Sequence, residues 1–547
     1  MKTINYIFGI VAAAATMTAC VGDLNVTPID PNANTVDKVL VSQSALDSYI
    51  AGVYLGFATS GYYGPDGGAS ISGLDGGASQ YIRGLYHLNE LTTDESVCGW
   101  NDQTIKNFHY MNWTKDDTFI YAFYSRVLMQ VSTANEFIRE AGMIGGIDEA
   151  VRDRYIDEAR ALRALAYYHG LDNFGKMPFT TEADVVGVSP KEISRADLFT
   201  WLETELKDIM EAGRLPGKDA VHKGHVSMGF VKFLLAKLYL NAEVYTGTAR
   251  WQDCANVLKD LMDDGYSLHT TSVGGKYSAY QELFLADNDQ RTDEIIFAVE
   301  QDGEFTKSYG VTNYLIFAST GGTMDVTQIG ISSGWGGLRT TPEFVSLFDK
   351  VKDDRYLLYD TDKSTADVDK MPESTEKEKK AKDAARENIQ KLDIDDIGNF
   401  ADGYGFQKFL NKTSAGEDGK AAGFVDTDFP LMRYADVLLM AAECQMHGAT
   451  GLDGLGALNQ VRARAGLPAA NGIVAQDLLD ERGRELYQEC WRRNDLIRFD
   501  KFVSGYTWQW KGEVKEGRDA ESYRTLFPIP TQDLQANTNL TQNEGYL

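Results

Sequence analysis

Residues 433–500 carry the pattern that decides the fold: RYADVLLMAAECQMHGATGLDGLGALNQVRARAGLPAANGIVAQDLLDERGRELYQECWRRNDLIRFD. In the first third, apolar residues recur with a helical period at Tyr434, Val437, Leu438 and Ala441. After a glycine-containing break, a second apolar series ends at a glycine with a proline two residues beyond, which is a helix-stop signal. A third series follows. The pattern predicts three helices joined by short turns.

Charged residues accompany the apolar series of the third predicted helix. Glu489 and Arg493 are four residues apart with the acid first, which is the favourable order for a pair on a helix surface. One such helix cannot bury its apolar stripe alone, whereas helix pairs stacked side by side can, as in helical-repeat proteins. An ordinary helical core is the alternative, and periodicity does not decide between the two.

The composition is that of a folded protein with an acidic surface. The chain has 547 residues, of which 24% are charged and 11% aromatic, and its formal charge is −27. Such a charge does not suit a phosphate backbone, which requires clustered Lys and Arg, so we expect no nucleic-acid partner. After the N-terminus, no apolar run reaches the roughly 18 residues that indicate a membrane span. The four later cysteines lack zinc-ligand spacing, which favours free thiols, most of them buried.

The N-terminus has the features of a secretory signal. Residues 1–19, MKTINYIFGIVAAAATMTA, combine Lys2, an apolar centre and small residues before Cys20. The ending MTAC resembles a bacterial lipobox, in which the cysteine becomes the lipidated N-terminus. Residues 20–35 would then form a lipid-anchored tether, because they contain two prolines and several turn residues. The alternative is simple secretion with an incidental cysteine.

Helical patterns continue through much of the remaining chain. Residues 36–265 contain about four irregular helix pairs, which we assign with residues 427–500 to a helical scaffold. Residues 266–426 are richer in glycine and tyrosine, and they contain the runs EIIFAV and TNYLIFA, which are typical of strands. We therefore predict a mainly α-helical fold with few short strands. Residues 36–547 form one domain in this prediction, and residues 266–426 form its loop-rich, ligand-binding region.

No sequence motif indicates catalysis. The seven histidines occur without an H-E-x-x-H pattern, and neither a G-x-S-x-G nor a P-loop sequence is present. A glycosidase requires two carboxylates flanking one bond, and 80 acidic residues leave that open by number alone. We predict a protein that is not an enzyme. A glycoside hydrolase and a repeat scaffold that binds only proteins are the alternatives.

Three loops combine aromatic residues with glycine and polar side chains. The first extends from Asp75 to Gln103, the second is KSYGVTNYL with Tyr309 and Tyr314, and the third is SSGWGGLR with Trp335. A sugar ring has an apolar C–H face that suits an aromatic ring, and a rim of hydroxyls that suits Arg, Asp, Asn and Gln. The mixture favours a carbohydrate-binding surface. For each aromatic residue taken alone, packing within the fold is the alternative.

Five segments in order resemble the C-terminal half of the SusD/RagB family of outer-membrane nutrient-binding lipoproteins: DTDFPLMRYADVLLMAAEC, ALNQVRARAGL, ERGRELYQECWRRNDLIRF, FPIP and LTQNEGY. The resemblance covers residues 23–547 and is greatest to the starch-binding member of the family. It implies a SusD-like fold with irregular tetratricopeptide-type repeats, and surface exposure on the outer membrane through lipidated Cys20. It also implies binding of a starch-like α-glucan without cleavage, and its delivery to a TonB-dependent, SusC-like transporter. A different glycan is the alternative.

The resemblance also implies which residues bind the ligand. LDGGASQYIR and NELTTDESVCGW are similar to the family segment that carries a binding aspartate and arginine, and YG and GW to the stacking tyrosine and tryptophan. The implied ligand-binding residues are Asp75, Arg83, Trp100, Gln103, Tyr309 and Trp335. Gln103 stands where a binding asparagine is expected. Cys98 stands where the starch-binding member has a further stacking tryptophan, so one stacking position is in question.

Two acidic clusters are compatible with a structural calcium ion. DND at 287–289 and DTD at 426–428 each place carboxylates near a turn, and calcium takes six to eight oxygen ligands. Both clusters resemble family segments that hold calcium, which implies Asp289, Asp426 and Asp428 as ligands. The alternative is turn and capping chemistry, in which Asx residues are common.

Overall fold

The protein is mainly helical, as predicted. A computed structural model describes residues 42–65, 67–144 and 146–546, so the predicted signal peptide, Cys20 and the tether lie outside the described residues. Within these ranges there are nineteen α-helices and eight short strands. Among the described residues, no helix combines the length and the apolar character needed to cross a bilayer.

The helices are numbered α1 to α19 in chain order. They are α1 (Gln43–Ala58), α2 (Tyr81–Asn89), α3 (Gln103–His109), α4 (Thr118–Ala141), α5 (Glu149–Phe174), α6 (Arg195–Ala212), α7 (Met228–Leu240), α8 (Ala242–Thr246), α9 (Trp251–Met262), α10 (Val311–Ser319), α11 (Val326–Ile329), α12 (Pro342–Val345), α13 (Thr361–Lys370), α14 (Glu376–Arg386), α15 (Tyr434–Met446), α16 (Gly454–Arg464), α17 (Ala475–Leu486), α18 (Arg492–Arg498) and α19 (Thr531–Ala536).

The strands form three small antiparallel sheets in the described chain. They are β1 (Val97–Cys98), β2 (Met177–Phe179), β3 (Lys191–Ile193), β4 (Ile295–Val299), β5 (Leu338–Thr340), β6 (Leu358–Tyr359), β7 (Tyr404–Phe406) and β8 (Phe429–Arg433). Their order is β1-β5-β7-β6 in the largest sheet, with β2 paired to β3 and β4 paired to β8. The EIIFAV run forms β4, as predicted.

The long helices pack as successive neighbours. Helices α4, α5, α6, α7 and α9 contact one another in order, and α9 contacts α15, which in turn packs against α16 and α17. The first and last thirds of the chain therefore form one helical array. Capping defines its boundaries: Ser194 accepts a hydrogen bond from the Asp197 amide at the start of α6, and Gly213 ends α6 in the left-handed region.

The prediction for TNYLIFA is wrong, because this run lies in α10 and is not a strand. All nine residues of α10 are buried. A helix that is buried on every side shows no amphipathic period, so periodicity cannot distinguish a short apolar helix from a buried strand.

The predicted surface pair of Glu489 and Arg493 is also wrong. Helix α17 ends before these residues, and the backbone enters the left-handed region at Gln488 and Cys490. Both charged side chains are buried, and Glu489 pairs with Arg433, with Nε and Oε2 2.7 Å apart. The periodicity locates the helices, but it does not show that the faces carrying charge are covered by other parts of the chain.

A buried ion-pair network joins the C-terminal helices to the β4–β8 ribbon. Arg433 at the end of β8 is central: its Nη1 lies 2.7 Å from Glu294 Oε1 and 2.9 Å from Glu485 Oε1. The network, as we use the term, comprises Glu294, Asp353, Arg355, Lys408, Arg433, Arg464, Glu481, Glu485 and Glu489. Because each charge has opposite charges within contact distance, burial is compatible with ionisation.

Candidate functional site

Two tryptophans from distant parts of the sequence meet because β1 pairs with β5. Cys98 lies opposite Leu338 in an antiparallel register, so Trp100 after β1 and Trp335 before β5 reach the same end of the pair. Their ring centroids are 6.4 Å apart and the ring planes are inclined by 50°. The Trp100 Nε1 donates to the Trp335 carbonyl at 3.3 Å. Both side chains are half-buried and keep part of their surface in solvent.

The Trp335 loop is held against the end of α10. The Trp335 amide donates to the Phe317 carbonyl at 2.7 Å, and the next two amides donate to carbonyls of the same helix end. Gly337 permits this arrangement, because a Cβ there would lie 2.7 Å from the Trp100 indole. The position of both indoles is therefore fixed by the backbone.

Tyr309 completes an arc of three rings. Its ring centroid lies 5.7 Å from that of Trp335, with an interplanar angle of 78°. Tyr309 immediately precedes Gly310, which caps α10 and has no space for a Cβ because the Gln80 side chain would lie 2.4 Å away. The starts of α2 and α10 therefore approach closely, which brings the first and second loops together. We call Trp100, Trp335 and Tyr309 the aromatic arc.

Arg83 lies underneath the arc and ties its loops together. The residue is 8% exposed, and its Nη1 donates to the Gly77 carbonyl at 3.0 Å and to the Tyr309 carbonyl at 3.2 Å. Its guanidinium lies 4.5 Å from the centroid of the Tyr314 ring. Among the described residues, Arg83 Nε has no hydrogen-bond acceptor. Burial lowers the pKa of Arg83, whereas the nearby Asp75 raises it.

The two remaining predicted ligand residues lie at the rim. Asp75 is exposed in the glycine-rich loop, close enough to Arg83 to affect its pKa. Gln103 is exposed at the first position of α3, and its Nε2 donates to Asn107 Oδ1 at 2.8 Å. Asp75 is thus placed near Arg83, whereas the Gln103 amide is directed along its own helix.

Cys98 provides no stacking surface. It is 2% exposed within β1, where burial raises the pKa of its thiol to about 11. All four cysteines in the described residues are free and buried, as predicted for most of them. The arc is therefore formed without a ring at this position.

Two aromatic residues, Tyr314 and Phe424, lie in positions that the sequence did not predict. Tyr314, predicted as a loop residue, is fully buried in α10 and supports the Arg83 guanidinium from below. Phe424, which the sequence did not indicate, lies half-buried beside the arc with its ring centroid 5.5 Å from that of Tyr309. A signal was present, since Phe424 directly follows a glycine in AAGFVD, as Trp335 does in SSGW.

Comparison with known proteins agrees with this architecture. The family model described as the SusD family matches residues 293–546. The starch-binding protein SusD of Bacteroides thetaiotaomicron is 31% identical to this chain, over 97% of this chain and 96% of the relative. The chain belongs to the SusD family.

A more distant relative and a solved structure extend the match. The SusD-like protein P2 of Formosa agariphila is 23% identical, with 79% of this chain and 81% of the relative covered. Among solved structures, surface glycan-binding protein A of Bacteroides thetaiotaomicron, in complex with laminarihexaose, superposes with a TM-score of 0.68 at 17% identity. That superposition covers 92% of this chain and 99% of the other, so the fold is shared throughout.

SusD-family proteins bind glycans without cleaving them. Membership therefore makes this chain a SusD-like surface glycan-binding protein, and it is not an enzyme. The alternatives of a glycoside hydrolase and of a scaffold that binds only proteins are set aside on this ground.

The carboxylates predicted to bind calcium do not fit that ion as they are arranged. Lys223 Nζ lies between them, 3.2 Å from Asp289 Oδ2 and 3.7 Å from Asp428 Oδ2. Burial raises the pKa of Asp428 to about 7, although Lys223 opposes this, and Asp428 Oδ1 accepts the Gln301 amide at 2.7 Å. Asp426 accepts backbone amides through both of its oxygens.

Among residues 42–546, with the two gaps noted, no three His, Cys, Asp or Glu side chains are grouped so as to hold a metal ion. An ammonium group thus supplies the positive charge between Asp289 and Asp428. Calcium binding stays a prediction, and calorimetric titration of the metal-free protein with calcium would test it.

Proposed function

We propose that this protein binds a starch-like α-glucan at the aromatic arc and passes it uncleaved to a TonB-dependent, SusC-like transporter. One observation carries the proposal: three half-buried rings from three distant segments converge on one surface, inclined to each other by 50° and 78°. The 31% identity with a relative named for starch binding supports the choice of glycan.

The inclined rings suit a curved sugar chain. Successive sugar units of a bent oligosaccharide present their C–H faces in different directions, and each ring of the arc offers an apolar face at a different angle. The exposed Asp75 at the rim provides an acceptor for hydroxyl groups. Each stacked aromatic contributes about 0.5–1.5 kcal/mol beyond its buried area.

A β-linked glucan is the second candidate, and the buried Cys98 favours it. The arc is formed without a ring at this position, which removes one of the angles that a helical α-glucan would use. A glucan that stacks on fewer rings is compatible with the shorter arc, and a protein of the same fold has been solved in complex with laminarihexaose, a β-linked oligosaccharide. Affinity electrophoresis of the protein in gels containing amylopectin, laminarin or inulin separates the candidates. We expect retardation by amylopectin; retardation by laminarin or inulin alone would overturn the α-glucan assignment.

Attachment to the outer membrane is proposed to depend on Cys20. Replacing Cys20 with Ala should release the protein into the soluble fraction and leave its glycan affinity unchanged, because several acyl chains on one residue give stable anchoring. If the variant remains in the membrane fraction, the anchor lies elsewhere. Copurification of the lipidated protein from solubilised outer membranes tests the transporter: a TonB-dependent protein should accompany it.

A further inference from the structure

Phe424 lies where it can extend the aromatic arc. Its ring and that of Tyr309 have centroids 5.5 Å apart and an interplanar angle of 24°, which is an offset-stacked arrangement. Both residues are half-buried and so retain exposed surface. In such a stack each ring covers part of the other's inner face and keeps its outer face, so Phe424 adds apolar surface next to Tyr309.

Backbone hydrogen bonds fix the segment that carries this ring, residues 419–426. The Ser332 amide donates to the Ala422 carbonyl at 2.9 Å, on one side of Phe424. On the other side, the Val425 amide donates to Asn313 Oδ1 at 3.2 Å. Because the chain is anchored within two residues on each side, Phe424 is presented from a fixed backbone rather than from a free loop tip.

The same segment is locked to the loop of Tyr309. The Asp426 carboxylate accepts the amides of Gly303, at 2.9 Å, and of Lys420, at 2.5 Å. A Cβ at Gly303 would lie 2.7 Å from the Phe424 carbonyl oxygen, so the two backbones touch. Asp426 is therefore a positioning residue for Phe424, which gives this carboxylate a role that involves no metal.

A lysine side chain lies near the Phe424 ring. Lys307 Nζ lies 5.9 Å from the centroid of Phe424, and Lys307 itself is exposed. An ammonium group beside an apolar face is the combination that suits a sugar, because the ring accepts C–H groups while the ammonium donates to hydroxyls.

We propose that Phe424 is a fourth ring of the binding surface and contacts a sugar unit beyond those held by the aromatic arc. The proposal rests on the glycan-binding function proposed above and adds to it a specificity determinant for chain length. A longer oligosaccharide reaches Phe424, whereas a short one held on Trp100 and Trp335 does not.

The test is calorimetric titration of the parent and three variants, Phe424→Ala, Phe424→Leu and Phe424→Trp, with maltoheptaose and with maltotriose. For maltoheptaose, the Ala and Leu variants should bind between about twofold and tenfold more weakly, because a stacking contact is lost. Phe424→Trp should retain parental affinity, since it keeps an aromatic face. For maltotriose, all variants should bind as the parent does.

Unchanged maltoheptaose affinity in Phe424→Ala, with a parent that binds, would overturn the role of Phe424 and leave the proposed function intact. Equal losses for both oligosaccharides would also overturn it, because Phe424 would then act only through Tyr309. A parent that binds neither ligand would contradict the proposed α-glucan function itself. Trp251→Ala serves as the control: it removes a half-buried ring stacked on His447 at 3.9 Å, on helix α9 of the scaffold.

Discussion

The buried ion-pair network and the aromatic arc reverse the usual distribution of side chains in opposite ways. In the network, nine charged residues that solvent would normally hydrate are enclosed between β8, α16 and α17. In the arc, rings that normally fill a core keep part of their surface exposed in loops. The buried charges pair with one another inside the fold, whereas the exposed apolar rings are accessible to a ligand.

Buried contacts next to the network support the surface that carries the arc. The Glu95 carboxylate, just before β1, accepts the Gln488 amide at 2.6 Å, and Arg492 pairs with Asp94 at 2.8 Å. These contacts attach the segment that leads to Trp100 to the C-terminal helices. We therefore expect mutations in the network to reduce stability first, and mutations in the arc to reduce affinity without affecting stability.

The largest expected effect is that of Glu485→Gln. This change keeps the shape of the side chain but removes the buried negative charge that pairs with Arg355, Arg433 and Arg464. The three arginines then share fewer carboxylates in the same buried environment. Breaking a buried pair in this way costs about 3–5 kcal/mol of unfolding free energy. Urea denaturation followed by circular dichroism measures it.

Glu376→Gln is the matched control for that experiment. Glu376 lies in the exposed helix α14, where its partner Lys379 is also solvent-exposed. We expect a change below about 1 kcal/mol, as is usual for surface pairs. If both variants lost the same stability, the network would not be the element that holds the fold.

The stability that Glu485 contributes to the network should depend on pH in the acidic range. Burial alone would raise the pKa of Glu485, but the guanidinium groups around it, with Arg464 first, outweigh burial and lower that pKa to about 2. A lowered pKa means that ionised Glu485 stabilises the fold above its unfolded value of about 4.3 and that this stabilisation is lost as the pH falls towards 2.

We therefore expect the unfolding free energy of the parent to decline between about pH 4.3 and pH 2, and that of Glu485→Gln to decline less over the same range. Urea titrations at several pH values provide the measurement. Parallel curves for the two proteins would show that this carboxylate does not contribute to acid sensitivity.

Arg83→Ala should have a smaller and mixed effect. It removes the hydrogen bonds that join Gly77 and Tyr309, and it leaves the Tyr314 ring uncovered. Removing such a buried partner costs roughly 1–3 kcal/mol, so maltoheptaose binding should weaken by about tenfold and the melting temperature should fall. Arg83→Lys is a useful comparison, since Lys keeps the charge without the planar fork. If Arg83→Ala bound maltoheptaose as tightly as the parent does, Arg83 would not contribute to the binding site.

The helical scaffold was predictable from local pattern, whereas its environment was not. Periodicity and helix-stop signals located the three helices after Arg433, because each such signal lies within a few residues. The sequence did not show that Glu489 is buried, because that depends on Arg433 and on Lys408, which is 81 residues away. TNYLIFA was misassigned for the same reason, since burial on all sides removes the period.

The candidate site was predictable where aromatic residues occur beside glycine. Tyr309 and Trp335 stood out on this basis, and the resemblance added Asp75 and Arg83. The β1–β5 pairing that brings Trp100 to Trp335 could not be inferred, because strands of two and three residues leave almost no pattern. Whether these residues contact a glycan stays a prediction until binding is measured.

The most direct test of the account is isothermal titration of the parent and of Trp335→Ala with maltoheptaose, each accompanied by a thermal melt. Because Trp335 contacts both other rings of the arc, we expect binding to weaken by about tenfold or more, while the melting temperature stays within about 2 °C of the parent. Trp251→Ala should match the parent in affinity. Parental affinity in Trp335→Ala would contradict the central claim, because the glycan would then bind somewhere other than the aromatic arc.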